Sequence, residues 1–354
     1  MFSMRMQRRI LRLGVLSLLA FLALSALAGV LLADGALHPH RRALSAEDEL
    51  RAHDLAREAG AQLADVAITA ADRVTLRAWT LRPKDGNGNA VILLHGHTDN
   101  RMGTIGYAEL LLRHHYLVLM PDARAHGASG GALGTYGLLE SEDLRRWHDW
   151  LEGSAHPRCI YGFGESMGAA QLLQSLRTEQ RFCAVGAESP FTDLRELAFD
   201  RIGQRIHTGP LLTRTLARPG VEFAFLYARW RYGLDLGRVS PVEAAMQSKV
   251  PLLLIHGMDD RNIPIRHSRK IASLDPAALL WEVPSTQHCS AIVTAPEEFE
   301  RRVIGWFQAH PVPRGLTLDR HVSSPARRAG AVARSRTMGE QSRLSPPPHV
   351  AAPS

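Results

Sequence analysis

Residues 161–170 read YGFGESMGAA and contain the pattern Gly-x-Ser-x-Gly, with Ser166 at its centre. The pattern occurs a second time at residues 127–131, GASGG, where the central serine is Ser129. Chance alone produces such a match in roughly one chain in ten of this length, because glycine makes up about 7% of an average protein. The surroundings of each serine must therefore decide whether it has a chemical role.

Ser166 follows an apolar run, RCIYGFG, and precedes a run of small and apolar residues, MGAAQLLQSL. Together they predict a strand, a sharp turn and a helix, which is the setting of a nucleophile elbow. Gly164 and Gly168 allow the strand and the helix to approach closely. Ser129 is followed by GGALGTYG, which contains too much glycine for a helix, so we predict that it lies in a loop. Ser166 is therefore the candidate nucleophile.

Strands and helices alternate along most of the chain. Six apolar runs are typical of strands buried on both faces of a parallel sheet: AVILLHG, YLVLMPD, RCIYGFG, FCAVGAES, PLLLIHG and ALLWEVP. Helical stretches lie between them, and a predicted hairpin with a turn at Asp72 and Arg73 comes first. This order predicts a doubly wound, mostly parallel sheet with right-handed crossovers.

Residues 194–247 interrupt the alternation, since they contain no predicted strand. Aromatic side chains are concentrated in one part of this segment, at Phe223, Phe225, Tyr227, Trp230 and Tyr232. We predict a helical insertion, and two interpretations of it stay open. It either packs against the core, or it caps the carboxyl edge of the sheet as an aromatic lid over an apolar substrate.

A serine hydroxyl is a poor nucleophile unless a histidine removes its proton and a carboxylate orients that histidine. In a doubly wound sheet, such groups lie just beyond the carboxyl ends of the strands. Asp259 and Asp260 follow the run PLLLIHG, and His288 follows ALLWEVP. The chain therefore offers a serine, an acid and a histidine in that order.

These motifs together resemble the α/β-hydrolase superfamily. The resemblance covers about residues 64–310 and rests on LLHGHTDNR, PDARAHGASGG, GFGESMGAA, HGMDDRNIP and STQHCS, in that order. Within the superfamily, the sequence is most similar to exported bacterial serine hydrolases that are often called serine aminopeptidase-like. The resemblance implies an α/β-hydrolase fold: a doubly wound, mostly parallel eight-stranded sheet with a helical cap insertion at about residues 194–247.

The resemblance also assigns the site residues. Within HGMDDRNIP it selects Asp260 as the catalytic acid, with Asp259 as the alternative. It implies an oxyanion hole made by the backbone N–H groups of His97 and Met167, so the side chain at His97 matters less. Ala125 stands where the family usually has glycine, which affects the expected shape of that loop.

The chain contains three cysteines, too few for a disulfide framework and without the spacing of a metal site. The sheet order implied by the resemblance places the strands of Cys159 and Cys183 side by side. These two cysteines are therefore a candidate disulfide, and three buried thiols are the alternative. No zinc-type spacing occurs, so we expect neither a metal nor a cofactor.

Residues 13–33, LGVLSLLAFLALSALAGVLLA, contain no charge and follow four arginines. About 20 apolar residues are enough to cross a bilayer as a helix, and flanking arginines favour the cytoplasmic side. We predict a membrane anchor with the catalytic domain outside the cytoplasm. The alternative is a signal peptide cleaved after Ala26-Leu27-Ala28, which would leave a secreted or periplasmic protein.

The net charge of +7 is concentrated at the two ends of the 354-residue chain, which carry +5 each. The middle is mildly acidic, which argues against a nucleic-acid partner. We therefore divide the chain into an N-terminal anchor or signal segment (1–42), an α/β-hydrolase domain (43–310) and a basic tail (311–354). The tail is rich in Pro, Arg and Ser, and we predict that it is disordered.

The sequence predicts a serine hydrolase with an acyl-enzyme intermediate and, as its substrate, most simply a carboxylic ester. Esters are easier to cleave than amides, and an aromatic insertion beside a membrane suits acyl chains. A peptidase or amidase is the alternative enzyme. A membrane-tethered binding protein without turnover is the alternative from another class.

Overall fold

Eight strands form a single sheet in the computed structural model, which describes residues 4–311. The strands are β1 (Ala61–Thr69), β2 (Thr75–Pro83), β3 (Ala90–Leu94), β4 (Leu117–Pro121), β5 (Ile160–Glu165), β6 (Val185–Glu188), β7 (Leu252–Gly257) and β8 (Leu279–Val283). Their order across the sheet is β1-β2-β4-β3-β5-β6-β7-β8. β1 and β2 form the predicted hairpin, β2 pairs antiparallel with β4, and all the other pairs are parallel. The predicted fold class is confirmed.

Twelve helices are present in the described part of the chain. They are α1 (Met4–Leu37), α2 (Ala46–Glu58), α3 (Ile105–Arg113), α4 (Glu140–Ala155), α5 (Met167–Ser175), α6 (Leu194–Ile206), α7 (Pro210–Leu216), α8 (Arg218–Tyr232), α9 (Pro241–Gln247), α10 (Arg266–Leu274), α11 (Ala291–Thr294) and α12 (Pro296–Ala309). Short 3-10 turns lie at Arg101–Thr104 and Leu236–Arg238. The predicted tail, apart from its first residue, lies outside the described residues.

The central strands are buried on both faces, which explains their continuous apolar runs. In β3, Val91 and Leu93 belong to the core on one face of the sheet, whereas Ile92 belongs to the core on the other face. Each fully buried aliphatic side chain of this kind contributes about 1.5–3 kcal/mol. The two packed faces hold the sheet rigid, and with it the polar residues at its carboxyl edge.

The helix α1 extends well beyond the length that a bilayer requires. Its 34 residues span about 51 Å, whereas the hydrocarbon core of a membrane is about 30 Å thick. One face of its last third is buried at every fourth residue: Ser25, Gly29, Ala33 and Leu37. A side chain larger than that of Gly29 would overlap the backbone of Gly220. The end of α1 therefore packs closely against the start of α8.

Three of the five aromatic side chains of α8 contact α1. Asp34 accepts a hydrogen bond of 2.7 Å from Tyr232 and one of 3.5 Å from Tyr227, and Phe223 lies beside Gly29. These contacts do not fit the interpretation in which the aromatic side chains form a lid over a substrate. Phe223, Tyr227 and Tyr232 hold the N-terminal helix against residues 194–247, a contact that neither interpretation included. Phe225 and Tyr232 also pack against a hydrophobic core, as the first interpretation expected.

Candidate active site

Ser166 occupies a sharp turn between β5 and α5. Its backbone has φ 52° and ψ −115°, an unusual conformation for a residue with a side chain. The turn is possible because a Cβ atom at Gly164 would lie only 2.6 Å from the backbone of Gly168, and one at Gly168 would overlap the carbonyl of Leu94. The two glycines of the pattern therefore serve the turn that presents the serine hydroxyl at the carboxyl edge.

Three predicted site residues form one hydrogen-bonded chain. Nε2 of His288 lies 2.9 Å from Oγ of Ser166, and its Nδ1 lies 2.7 Å from Oδ2 of Asp260. The other oxygen of Asp260 accepts hydrogen bonds from the backbone N–H groups of Asn262 and Ile263. The carboxylate therefore holds the tautomer of His288 in which Nε2 is free to take a proton from the serine.

The electrostatics keep Asp260 ionised. Burial on its own would raise the pKa of this carboxyl group, but hydrogen bonds with His256 and His288 outweigh burial and hold the pKa well below its usual range. Asp259, the alternative acid, is exposed, and its backbone N–H donates to the carbonyl of Thr286. The geometry favours Asp260 because the turn after β7 directs only this carboxylate towards His288.

One predicted oxyanion residue directly follows Ser166, and the other lies in the loop after the neighbouring strand β3. His97 follows β3, and Met167 is the first residue of α5. Within residues 4–311, neither backbone N–H donates a hydrogen bond to a protein acceptor. Both are therefore available to an oxygen atom of a bound substrate. The ring of His97 stacks against that of Tyr136, with 5.6 Å between centroids.

A cavity of about 680 Å³ opens above Ser166. Its walls come from the end of α1, from α6 and from the carboxyl edge of the sheet, and the lining residues are Leu31, Leu32, Gly35, Ala36, His97, Tyr136, Ser166, Met167, Phe191, Leu197, Arg201, Ile202, Gln204, Arg205 and Ile263. Most of these side chains are apolar. The space is in the size range of cavities that bind small organic molecules.

Ser129 has a different environment. It is fully buried, accepts a hydrogen bond of 2.9 Å from the backbone N–H of Arg77 and donates one of 2.8 Å to the carbonyl of Asp122. The nearby Ala125, where the family usually has glycine, adopts φ 59°. Its backbone keeps the left-handed conformation that glycine would favour, so the loop shape is retained at some cost in strain.

A buried pair of carboxyl groups lies close to the candidate triad, and sequence reasoning missed it. The hydroxyl of Tyr107 lies 3.2 Å from Oε2 of Glu165 and 2.9 Å from Oε2 of Glu188. Glu165 also accepts from the N–H of Gly96, and Glu188 from that of Ala291. One hydroxyl hydrogen cannot form a full hydrogen bond to two carboxylates at once, so this geometry favours a proton on one of them.

Burial, followed by the charge of Glu188, raises the pKa of Glu165 to about 8. Burial also raises the pKa of Glu188. Both residues are the last of their strands, and Glu165 is the first variable residue of the Gly-x-Ser-x-Gly pattern. These two glutamates at strand ends are the feature of the sequence from which the pair could have been predicted.

Three other buried histidines have structural partners. His95 accepts a hydrogen bond from the N–H of Ala123, and His256 contacts the carbonyl of Ile263. His267 contacts Asp200 at 2.8 Å. Within residues 4–311, no group of three or more His, Cys, Asp or Glu side chains is arranged to hold a metal ion.

Cys159 and Cys183 form a disulfide with 5.8 Å between their Cα atoms. They precede β5 and β6, which are neighbours in the sheet, at the end opposite Ser166. Cys289 is the free cysteine of the chain and lies next to His288. Burial raises the pKa of its thiol, which favours the uncharged and unreactive form.

The sequence profile of the Alpha/beta hydrolase family matches residues 91–302. This chain belongs to the α/β-hydrolase family. The profile covers the strands and turns that carry the serine, the aspartate and the histidine, and the chain is accordingly a hydrolase.

Comparisons with individual proteins agree with this assignment. The Pyrococcus furiosus esterase Pf2001 superimposes with a TM-score of 0.60 and 26% identity, over 77% of this chain and 99% of the esterase. The Bacillus subtilis protein YqkD is 30% identical over 55% of this chain, and the Danio rerio lysophosphatidylserine lipase ABHD12 is 25% identical over 55%. These matches span 63% of the Bacillus protein and 50% of the lipase.

Proposed function

We propose that this hydrolase cleaves carboxylic esters through an acyl-enzyme intermediate on Ser166. The observation that carries the proposal is the chain of hydrogen bonds from Ser166 through His288 to Asp260 at the floor of the cavity. His288 takes the proton of the serine hydroxyl as Oγ bonds to the ester carbonyl carbon. It then gives that proton to the leaving alcohol as the ester bond breaks.

Water completes the cycle in the second half. His288 removes a proton from water, the resulting oxygen nucleophile attacks the acyl carbon, and the proton returns to Oγ of Ser166 as the acid leaves. In both halves, the N–H groups of His97 and Met167 stabilise the negative charge on the carbonyl oxygen. Donors of this kind are typically worth about 100- to 1,000-fold in rate each.

An ester is the proposed substrate rather than a peptide. The cavity wall is mostly apolar, which suits an acyl chain, and the solved relative that is 26% identical is named an esterase. A peptidase or amidase, and a binding protein without turnover, are the alternatives that the experiment below separates.

We also propose that the N-terminal helix anchors the protein. Met6–Leu37 is long and apolar enough to cross a membrane, with a mean hydropathy of 2.6 over its most apolar window. Arginines at its start favour the cytoplasmic side, so residues 43–310 form a catalytic domain outside the cytoplasm. A small-x-small signal site at Ala26-Leu27-Ala28 falls inside the packed part of α1, which favours an uncleaved helix.

The test uses the full chain in detergent micelles and two kinds of substrate. A fluorophosphonate probe should label the protein on the peptide that contains Ser166. Among p-nitrophenyl esters from acetyl to palmitoyl, at least one should be hydrolysed much faster than any aminoacyl p-nitroanilide. Preference for the anilides would replace the esterase with a peptidase, and failure to label would favour the binding protein.

The neighbouring aspartates provide a matched pair of variants. Asp260→Asn should lower kcat on the best ester by about 1,000- to 10,000-fold, because His288 then loses the partner that sets its tautomer. Asp259→Asn removes the same charge one residue away and should leave kcat within about threefold. Equal effects of the two substitutions would contradict the proposed triad.

A further inference from the structure

One face of α6 turns towards the cavity above Ser166. Leu197, Arg201 and Arg205 are spaced four residues apart, so they lie on one side of the helix. All three line the cavity. Two guanidinium groups are therefore placed in the wall of the space that contains the candidate nucleophile.

Neither arginine forms an ion pair within the described residues, and no carboxylate side chain lines the cavity. Arg201 makes only long hydrogen bonds of 3.4 Å, to the side-chain oxygens of Gln204 and Asn262. Other arginines on and around α6 are paired: Arg195 with Glu222, Arg214 with Glu196, and Arg266 with Asp200.

Both arginines in the cavity wall are therefore positive charges without an ion-pair partner, although the charges of Asp260 and Asp200 also act on Arg201. Guanidinium groups prefer a fork of two acceptor oxygens, which carboxylates and phosphates supply. The surrounding protein offers Arg201 and Arg205 no such acceptor, although it does so for three arginines nearby. An anionic group on a bound molecule would complete these contacts.

The wall contributed by α1 has the opposite character. Leu31, Leu32, Gly35 and Ala36 line the cavity without a polar side chain among them. They belong to the same continuous helix as the apolar segment that begins near the N-terminus. An apolar chain lying along this wall can therefore extend towards the membrane that α1 enters.

We propose that the substrate is a membrane-derived acyl ester with an anionic group close to the ester bond. Arg201 and Arg205 hold the anion, and the acyl chain lies against the end of α1. This inference rests on the proposed esterase function and adds the charge and the source of the substrate to it.

The experiment compares two esters that share one acyl chain. The full chain is assayed in nonionic detergent micelles with 1-lauroylglycerol, which is neutral, and with 1-lauroylglycerol 3-phosphate, which is anionic. The anionic ester should have a kcat/KM at least tenfold higher. Arg201→Met should lower this anionic-to-neutral ratio by about 10- to 100-fold, mainly through KM, as expected for the loss of a charged hydrogen bond.

Arg195→Met is the matched control, because Arg195 lies on the same helix but pairs with Glu222. It should keep the ratio of the unsubstituted protein. Arg205→Met should reduce the ratio in the same direction as Arg201→Met. A ratio near one in the unsubstituted protein, or an equal loss in all three variants, would overturn the proposal.

Two further measurements separate the parts of the inference. 1-Butyroylglycerol 3-phosphate carries the anion without a long chain, and turnover equal to that of the lauroyl ester would overturn the role of the α1 wall. Labelling of Ser166 by a neutral fluorophosphonate reports on the nucleophile alone. Labelling combined with a preference for the neutral ester would overturn the anion site and leave the esterase proposal in place.

Discussion

The same five-residue pattern occurs twice in this chain and forms two different structures. Ser166 lies at the end of a strand with its hydroxyl 2.9 Å from the ring of His288. Ser129 lies in a loop, where its hydroxyl is bonded between the backbone groups of Arg77 and Asp122. Only the first serine has a partner that can accept its proton and then return it.

The difference lies in what surrounds the pattern. At Ser166, the chain enters from a buried strand and leaves in a helix, so the turn must be tight and the hydroxyl projects into a cavity. At Ser129, the glycines belong to a loop, and the serine hydroxyl connects that loop to β2 through a hydrogen bond with Arg77. Hydrogen-bonding capacity is equal in the two serines, and the neighbouring secondary structure determines how each one uses it.

The largest expected contrast is between alanine substitutions of the two serines. Ser166→Ala should lower kcat by about 10,000- to 1,000,000-fold, because no other group can form the acyl-enzyme. Ser129→Ala should leave kcat within about threefold but lower the free energy of unfolding by about 1–3 kcal/mol, because the partly buried N–H of Arg77 loses its acceptor. Kinetics on the best ester and thermal unfolding measure the two effects, and a comparable loss of kcat at Ser129 would break the distinction.

The next largest contrast is expected between alanine substitutions of one glycine from each pattern. A Cβ atom at Gly168 would overlap the carbonyl of Leu94, so Gly168→Ala should displace the turn, lower kcat at least 100-fold and destabilise the fold by about 1–3 kcal/mol. At Gly131, the nearest atom to an added Cβ is 3.5 Å away, and only its φ of 92° is unfavourable.

Gly131→Ala should therefore cost about 1 kcal/mol of stability and leave kcat nearly unchanged. Thermal unfolding and ester kinetics on both variants, at one pH and in one detergent, provide the comparison. Equal losses of activity at the two positions would show that the second loop also shapes the active site.

The smallest expected effect concerns the residue before each serine, which is Glu165 in one pattern and Ala128 in the other. The pKa of Glu165 is raised to about 8 from an ordinary value near 4.5. Between these values the folded protein holds a proton that the unfolded chain has lost, so this group makes stability fall as the pH rises from about 5 to 8.

Glu165→Gln removes the loss of stability with rising pH that Glu165 causes. The midpoint of thermal unfolding of the variant, relative to the unsubstituted protein, should rise by a few degrees between pH 5 and pH 8. Glu282→Gln is the control, because its pairing with Arg269 lowers the pKa of Glu282, and its contribution is constant over that interval. Parallel curves for Glu165→Gln and the unsubstituted protein would contradict the buried, protonated carboxyl.

The sequence by itself determined the fold and the positions of the candidate triad. Buried parallel strands require continuous apolar runs, a tight strand-to-helix turn requires small neighbours, and catalytic groups follow strand ends. These are local requirements, so a short stretch of adjacent residues is enough to recognise each of them. The residues around each position predicted Ser166, His288 and either Asp259 or Asp260, and the family resemblance selected Asp260. The structure brings Ser166 and Asp260 within hydrogen-bonding distance of His288.

Only the tertiary structure decided what surrounds that chain of hydrogen bonds. It places the end of α1 in the wall of the cavity, turns Tyr227 and Tyr232 of α8 towards α1, and joins Glu165 to Glu188 through Tyr107. These contacts join segments that are far apart in the sequence. Which faces of two helices meet depends on the shape and charge of both surfaces together, and neither segment contains that information alone.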